Sequence, residues 1–96
     1  MSRVMPDKRL SVFFSGKVQG VGFRFYARDI ALSLMLTGWV SNCSNRDVEC
    51  EVQGNETDVD VFCERMKDGP PLARVCSMRI NTLPLVPGET SFDILY

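Results

Sequence analysis

The chain has 96 residues, 11 basic and 12 acidic side chains, a net charge of −1, no histidine, 45% hydrophobic residues and a mean hydropathy of −0.03. That length holds one hydrophobic core, apolar enough to fold without a metal or disulfide. Charges of both signs are interspersed, so no basic stripe can displace counterions from a nucleic acid, and no run nears the ~20 apolar residues of a membrane span; nucleic acid and membrane are excluded as partners.

Residues 1–8 read as a flexible tail ahead of a folded domain over 9–96. The tail lacks the apolar segment and cleavage site of a secretory signal, so the expected compartment is the cytoplasm. Leu10, Val12 and Phe14 alternate with Ser11, Phe13 and Ser15, the pattern of a first strand. After the glycine-rich GKVQGVGFR (Gly16–Arg24), Phe23, Ala27, Ile30, Ala31 and Leu34 recur at helical spacing, with Arg28 and Asp29 on the outer face. Thr37 to Asn42 and Asp47 to Gln53 read as second and third strands joined by a short polar hairpin. Asn55 is the expected N-cap of a second helix running to about Lys67, which Asp68-Gly69-Pro70-Pro71 ends. Arg74 to Leu83 is a fourth strand and Thr90 to Leu95 a short fifth.

The β-α-β-β-α-β order, with one more short strand, predicts a ferredoxin-like split β-α-β sandwich of the α+β class, its two helices on one face of a mostly antiparallel sheet. A right-handed crossover makes strands one and two parallel, with strand three between them. Both then end at the same edge of the sheet. The glycine loop leaves the first and Asn42 closes the second, about 10 Å apart across the intervening strand.

Glycines at 16, 20 and 22 let a backbone curl so that successive N–H groups face outward. The following helix adds its own unpaired N–H groups and the positive end of its dipole, and Arg24 a fork matched to two phosphate oxygens. A tight strand-to-helix turn with a solvated arginine accounts for the same residues, and the loop alone leaves both readings open. It is neither a Walker loop, lacking G-x-x-x-x-G-K-[ST], nor a dinucleotide fingerprint, since its glycines are wrongly spaced.

Gly16-Lys17-Val18-Gln19-Gly20-Val21-Gly22-Phe23-Arg24 resembles the first signature of the acylphosphatase family. Gly38-Trp39-Val40-Ser41-Asn42, followed by Val48-Glu49 and Val52-Gln53-Gly54, is similar to the second. Gly69-Pro70 with Ala73 and Val75, and the closing Phe92-Asp93-Ile94-Leu95-Tyr96, extend the resemblance over about residues 10 to 96. It implies metal-independent hydrolysis of the carboxyl-phosphate bond of small acyl phosphates, without a cofactor, on a ferredoxin-like fold. By motif position Arg24 binds substrate and Asn42 positions water, both as catalytic residues. The backbone of Gln19, Gly20, Val21, Gly22, Phe23 and Arg24 would cradle the phosphate, with inorganic phosphate as product and inhibitor of a monomeric enzyme.

Other phosphatase chemistries fail on this sequence. Without histidine there is no Ser–His pair, and no cysteine begins a C-x5-R loop. The covalent-aspartate pattern D-x-D-x-[TV] breaks at Phe62, leaving Asp58 and Asp60 as solvated residues near a helix start. An acyl phosphate asks for less, because its carboxylate leaving group, with a pKa near 4, departs without a general acid. Charge stabilisation and alignment of water remain to be supplied.

Three departures from the family pattern stand out: Met35 and Arg46 occupy places usually held by glycine, and Leu95 replaces an arginine. With no C-x-x-C pair and no histidine, a zinc site is not expected, and Cys50, Cys63 and Cys76 read as small buried hydrophobes, with Cys43 in a loop. The alternative function is a non-catalytic phosphate- or carbamoyl-phosphate-binding module, like the domain at the start of hydrogenase-maturation carbamoyltransferases, to which Gly69-Pro70-Pro71-Leu72-Ala73-Arg74 has some likeness. Met1 at the start and a last strand close to the end favour a free-standing protein.

Overall fold

A computed structural model describes residues 7–96. Its elements are β1 (Asp7–Lys17), α1 (Phe23–Ser33), β2 (Thr37–Asn42), β3 (Val48–Asn55), α2 (Glu56–Asp68), β4 (Arg74–Leu83) and β5 (Phe92–Leu95). Asp7 and Lys8, in the expected tail, pair with Asn55 and Gly54 and so belong to β1; the rest of that tail lies outside the described residues.

The five strands lie in the order β4-β1-β3-β2-β5. β3 is antiparallel to both β1 and β2, which makes those two parallel, as the crossover rule requires. β5 adds a parallel edge strand beside β2, with Gly38 opposite Phe92 and Ser41 opposite Leu95. Leu10, Val12 and Phe14 of β1, Val40 of β2 and Val48, Cys50 and Val52 of β3 are buried on the face that α1 and α2 cover. The helices return Phe23, Ala27, Ile30 and Ala31, and Val59, Phe62 and Met66. Phe14 and Phe23 meet edge to face at 5.0 Å, fastening α1 to the strand that precedes it.

Local signals explain the helix ends. Asn55 Oδ1 accepts the N–H groups of Thr57 at 2.9 Å and Asp58 at 3.4 Å, the expected N-cap of α2. At the other end of α1, Met35 N–H donates to Leu32 O and Leu36 N–H to Ala31 O, a Schellman closure that needs a left-handed residue at Met35 (φ 57°). Met35 thus holds a conformation that glycine adopts without strain. Met35→Gly is expected to raise stability by about 1 kcal/mol through relief of that strain, read as a higher urea midpoint at unchanged slope.

On the opposite face, Arg9 is only 2% exposed. Its guanidinium donates to Glu51 at 2.9 Å, to Gln53 at 3.2 Å and to Glu89 at 2.8 Å. Gln53 in turn exchanges two hydrogen bonds with the backbone of Val86. This network pins the 84–91 connection to the sheet and thereby delivers β5 to its edge. Burial pushes the Glu89 carboxyl up, but hydrogen bonds from Arg9 and Thr37 and the arginine's charge outweigh it and hold the group below its usual value. A depressed carboxylate contributes stability above its unfolded pKa of about 4.5, and that contribution is lost as pH falls through the lower folded value. Glu89→Gln is accordingly expected to flatten the fall of the urea midpoint below about pH 4.5; an unchanged acid limb would remove Glu89 from the account.

The cysteines require a correction. Cys50 is buried, but Cys63 is half-buried and Cys76 exposed. Cys76 does share a face with Met78 and Ile80, yet β4 is an edge strand that α2 does not fully roof. The gap is an open groove of about 360 Å³ lined by Cys63, Val75, Cys76, Met78 and Ile80 among others. Strand alternation correctly identifies a face, and only the packing decides whether that face is covered.

Candidate active site

The β1–β4 pairing shifts register between Ser15 and Gly16, and the loop to α1 leaves β1 just beyond, after Lys17. Val18 is 1% exposed and anchors it in the core. Gly20 and Gly22 then adopt left-handed backbone (φ 72° and 76°), and a Cβ on either would meet nothing within 4 Å. Conformation, not space, demands glycine there. Gly22 is also the N-cap of α1, with no side chain capping the helix and no acidic residue in its first turn. The first bond back to it comes from Tyr26 N–H to Gly22 O at 3.0 Å. Among the described residues, the N–H groups of Gly20 through Arg24 reach no protein acceptor. Such an array, at the positive end of a helix dipole, has the chemistry to accept an anion.

Asn42 reaches the same place from the other side. In the sheet it sits opposite Val48, which sits opposite Phe14, so the end of β2 and the end of β1 face one another across β3. The hairpin beyond Asn42 closes through Cys43 N–H to Asp47 O at 2.8 Å and Arg46 N–H to Cys43 O at 3.3 Å. Arg46 takes the left-handed conformation (φ 75°), as Met35 does. A pocket of about 180 Å³ forms where the two ends meet, lined by Val18, Gly20, Gly22, Phe23, Arg24, Phe25 and Asn42. The larger groove along β4 lies elsewhere and shares none of these residues.

Arg24 is oriented by neutral partners. Its Nη1 donates to Leu95 O at 3.4 Å, and the guanidinium stands 4.9 Å from the centre of the Tyr96 ring. Among the described residues no carboxylate pairs with it, so its charge is available to a bound anion. Cys43, next to Asn42, is no rival nucleophile: burial, then the nearby Glu49 and Asp47 charges, push its thiol above the usual range.

Of the residues expected at the site, Gly20, Gly22, Phe23, Arg24 and Asn42 line this pocket. Val21 is half-buried and packs against the core, and the Gln19 side chain turns away to the hairpin, donating from Nε2 to Cys43 O and Asp47 O. Sequence reasoning missed Val18 and Phe25 as lining residues. It also missed the contacts of Leu95 and Tyr96 with Arg24, for which no local signal exists, since they depend on β5 lying beside β2.

Fold and pocket together define a ferredoxin-like domain with an arginine-bearing pocket where the ends of β1 and β2 meet. Residues 10–94 match the family model described as Acylphosphatase. An acylphosphatase of Clostridium beijerinckii is 44% identical over 88 residues, covering 92% of this chain and 98% of that one. The crystal structure of acylphosphatase from Bacillus subtilis superposes with a TM-score of 0.89 at 31% identity, over 93% of this chain and 99% of the other. Full-length HypF in its phosphate- and nucleotide-bound form also matches, with a TM-score of 0.86 at 27% identity, over 100% of this chain but 13% of HypF. The chain belongs to the acylphosphatase family. It is a hydrolase of the carboxyl-phosphate bond, converting acyl phosphates to a carboxylate and inorganic phosphate.

Proposed function

We propose that the hydrolysis runs without metal or cofactor, on Arg24, Asn42 and the N–H groups of Gln19 to Arg24. The loop N–H groups and the Arg24 fork take the phosphoryl oxygens. Asn42 holds a water in line with the bond to be broken. Its amide is not basic at neutral pH, so its contribution is one of position. The water oxygen attacks phosphorus, the bond to the acyl oxygen breaks, and the carboxylate leaves unprotonated. As charge redistributes over the phosphoryl oxygens, the guanidinium and the N–H groups stabilise it. The proton of the water passes to a phosphoryl oxygen of the substrate. A pH–rate profile set by a protein side chain would contradict that last step.

One observation carries the reading: Arg24 and Asn42, from different elements, line one pocket with a loop whose N–H groups from Gly20 to Arg24 find no protein acceptor among the described residues. The test is hydrolysis of benzoyl phosphate, followed by ultraviolet absorbance, with a chelator present. Turnover that survives the chelator and is inhibited by inorganic phosphate is expected. Phosphate binding without turnover would instead support the binding-module reading, which rests on the weaker likeness to HypF. Action as a cytoplasmic monomer belongs to the same proposal, supported by the charge pattern and by four cysteines that remain free thiols. Among the described residues no helix is long and apolar enough to cross a membrane.

A further inference from the structure

The side chain of Asn42 is exposed and makes no hydrogen bond to protein among the described residues. Where it stands is therefore set by the backbone that carries it, at the last position of β2. That backbone is tied to the phosphate loop at one place. Gln19 Nε2 donates to Cys43 O at 2.9 Å and to Asp47 O at 2.8 Å. Cys43 and Asp47 are the two residues whose pairing closes the hairpin, and Cys43 follows Asn42 directly. Both acceptors are carbonyl oxygens, so the amide must present its nitrogen, and both of its hydrogens are used. Gln19 is half-buried, which strengthens these bonds relative to exposed ones. Its main chain belongs to the phosphate loop while its side chain belongs to the hairpin.

We infer that Gln19 is a positioning residue for the hydrolysis: its amide bolts the β2–β3 hairpin to the phosphate loop and so sets where Asn42 stands relative to Arg24. The inference rests on the proposed role of Asn42. Gln19 touches neither substrate nor water through its side chain, and its influence runs through the hairpin. Loss of the bolt leaves the cradle N–H groups and Arg24 in place. Phosphate therefore still binds, while the water loses alignment, and misplacements of about 1 Å cost up to roughly a hundredfold in rate.

The test is a double-mutant cycle on benzoyl phosphate hydrolysis. Gln19→Ala is expected to lower kcat by roughly ten- to a hundredfold while inhibition by inorganic phosphate stays within about twofold. In an Asn42→Ala background the same change should cost almost nothing further, because the residue it serves is gone. Gln19→Glu supplies a second readout. Its carboxylate sets oxygen against two carbonyl oxygens at neutral pH, whereas the protonated form restores one donor, so its activity relative to wild type should rise as pH falls toward about 4. Equal losses in both backgrounds, or weakened phosphate inhibition at unchanged kcat, overturn the inference. An Asn42→Ala enzyme that is itself as fast as wild type sinks the role of Asn42, a failure visible before Gln19 is touched.

Discussion

Arg24→Ala is expected to lower kcat/KM for benzoyl phosphate by roughly a thousandfold and to abolish inhibition by inorganic phosphate in the millimolar range. The size follows from two charge-assisted hydrogen bonds of about 1.5–3 kcal/mol each, formed inside a pocket and strengthened as negative charge develops on the phosphoryl oxygens. Ground state and transition state lose the guanidinium together, so affinity and turnover should both fall. Stability should barely change. The contacts of Arg24 with protein are a 3.4 Å hydrogen bond to Leu95 O and the face of Tyr96, both at the surface. Arg24→Lys separates charge from geometry, because an ammonium keeps the charge without the bidentate fork. It should bind phosphate weakly and recover only part of the rate. Full activity in either variant would remove Arg24 from the mechanism.

Asn42→Ala is expected to behave differently. Its kcat should drop by roughly a hundred- to a thousandfold, the range seen when one preorganised polar group is removed from a reacting centre. Phosphate inhibition should persist, because the cradle and Arg24 are untouched. Asn42 is exposed at the end of β2 and its side chain caps nothing, so unfolding should shift by no more than about 0.5 kcal/mol. The contrast between the two variants carries the information: one loses binding and rate, the other rate alone. If both lost phosphate affinity equally, Asn42 would belong to the cradle and its role with water would fall.

The replaced glycines bear on both results. Met35 and Arg46 keep the left-handed conformation, at φ 57° and 75°. That conformation is strained for any residue but glycine, so the cost of Arg46 falls on stability. Leu95 contributes its carbonyl to Arg24, an interaction any residue there retains.

Much of this molecule was legible in one dimension. The period-two run Leu10, Val12, Phe14 and the helical recurrence of Phe23, Ala27, Ile30, Ala31 and Leu34 encode which face each element buries; the first seven are in the core, and Leu34, the C-cap of α1, packs half-buried against it. Asn55 announces its helix because a cap bonds N–H groups two and three residues away. Chirality of the crossover then brings the glycine loop and Asn42 to one edge without any knowledge of contacts.

What lies across the sheet had no local trace. Cys76 alternates correctly with Met78 and Ile80 and is exposed nonetheless, because α2 only partly covers the edge strand. Leu95 and Tyr96 meet Arg24 because β5 pairs with β2 and Phe92 is buried in the core. Gln19 bonds two carbonyls 24 and 28 residues away, and nothing in its neighbours says so. Periodicity, caps and turns are short-range consequences of backbone geometry, so the sequence by itself determined the elements, their order and the two ends that meet. Edge coverage and the side-chain bonds that aim Arg24 and Asn42 depend on which distant surfaces finally touch, and only the tertiary structure decided those.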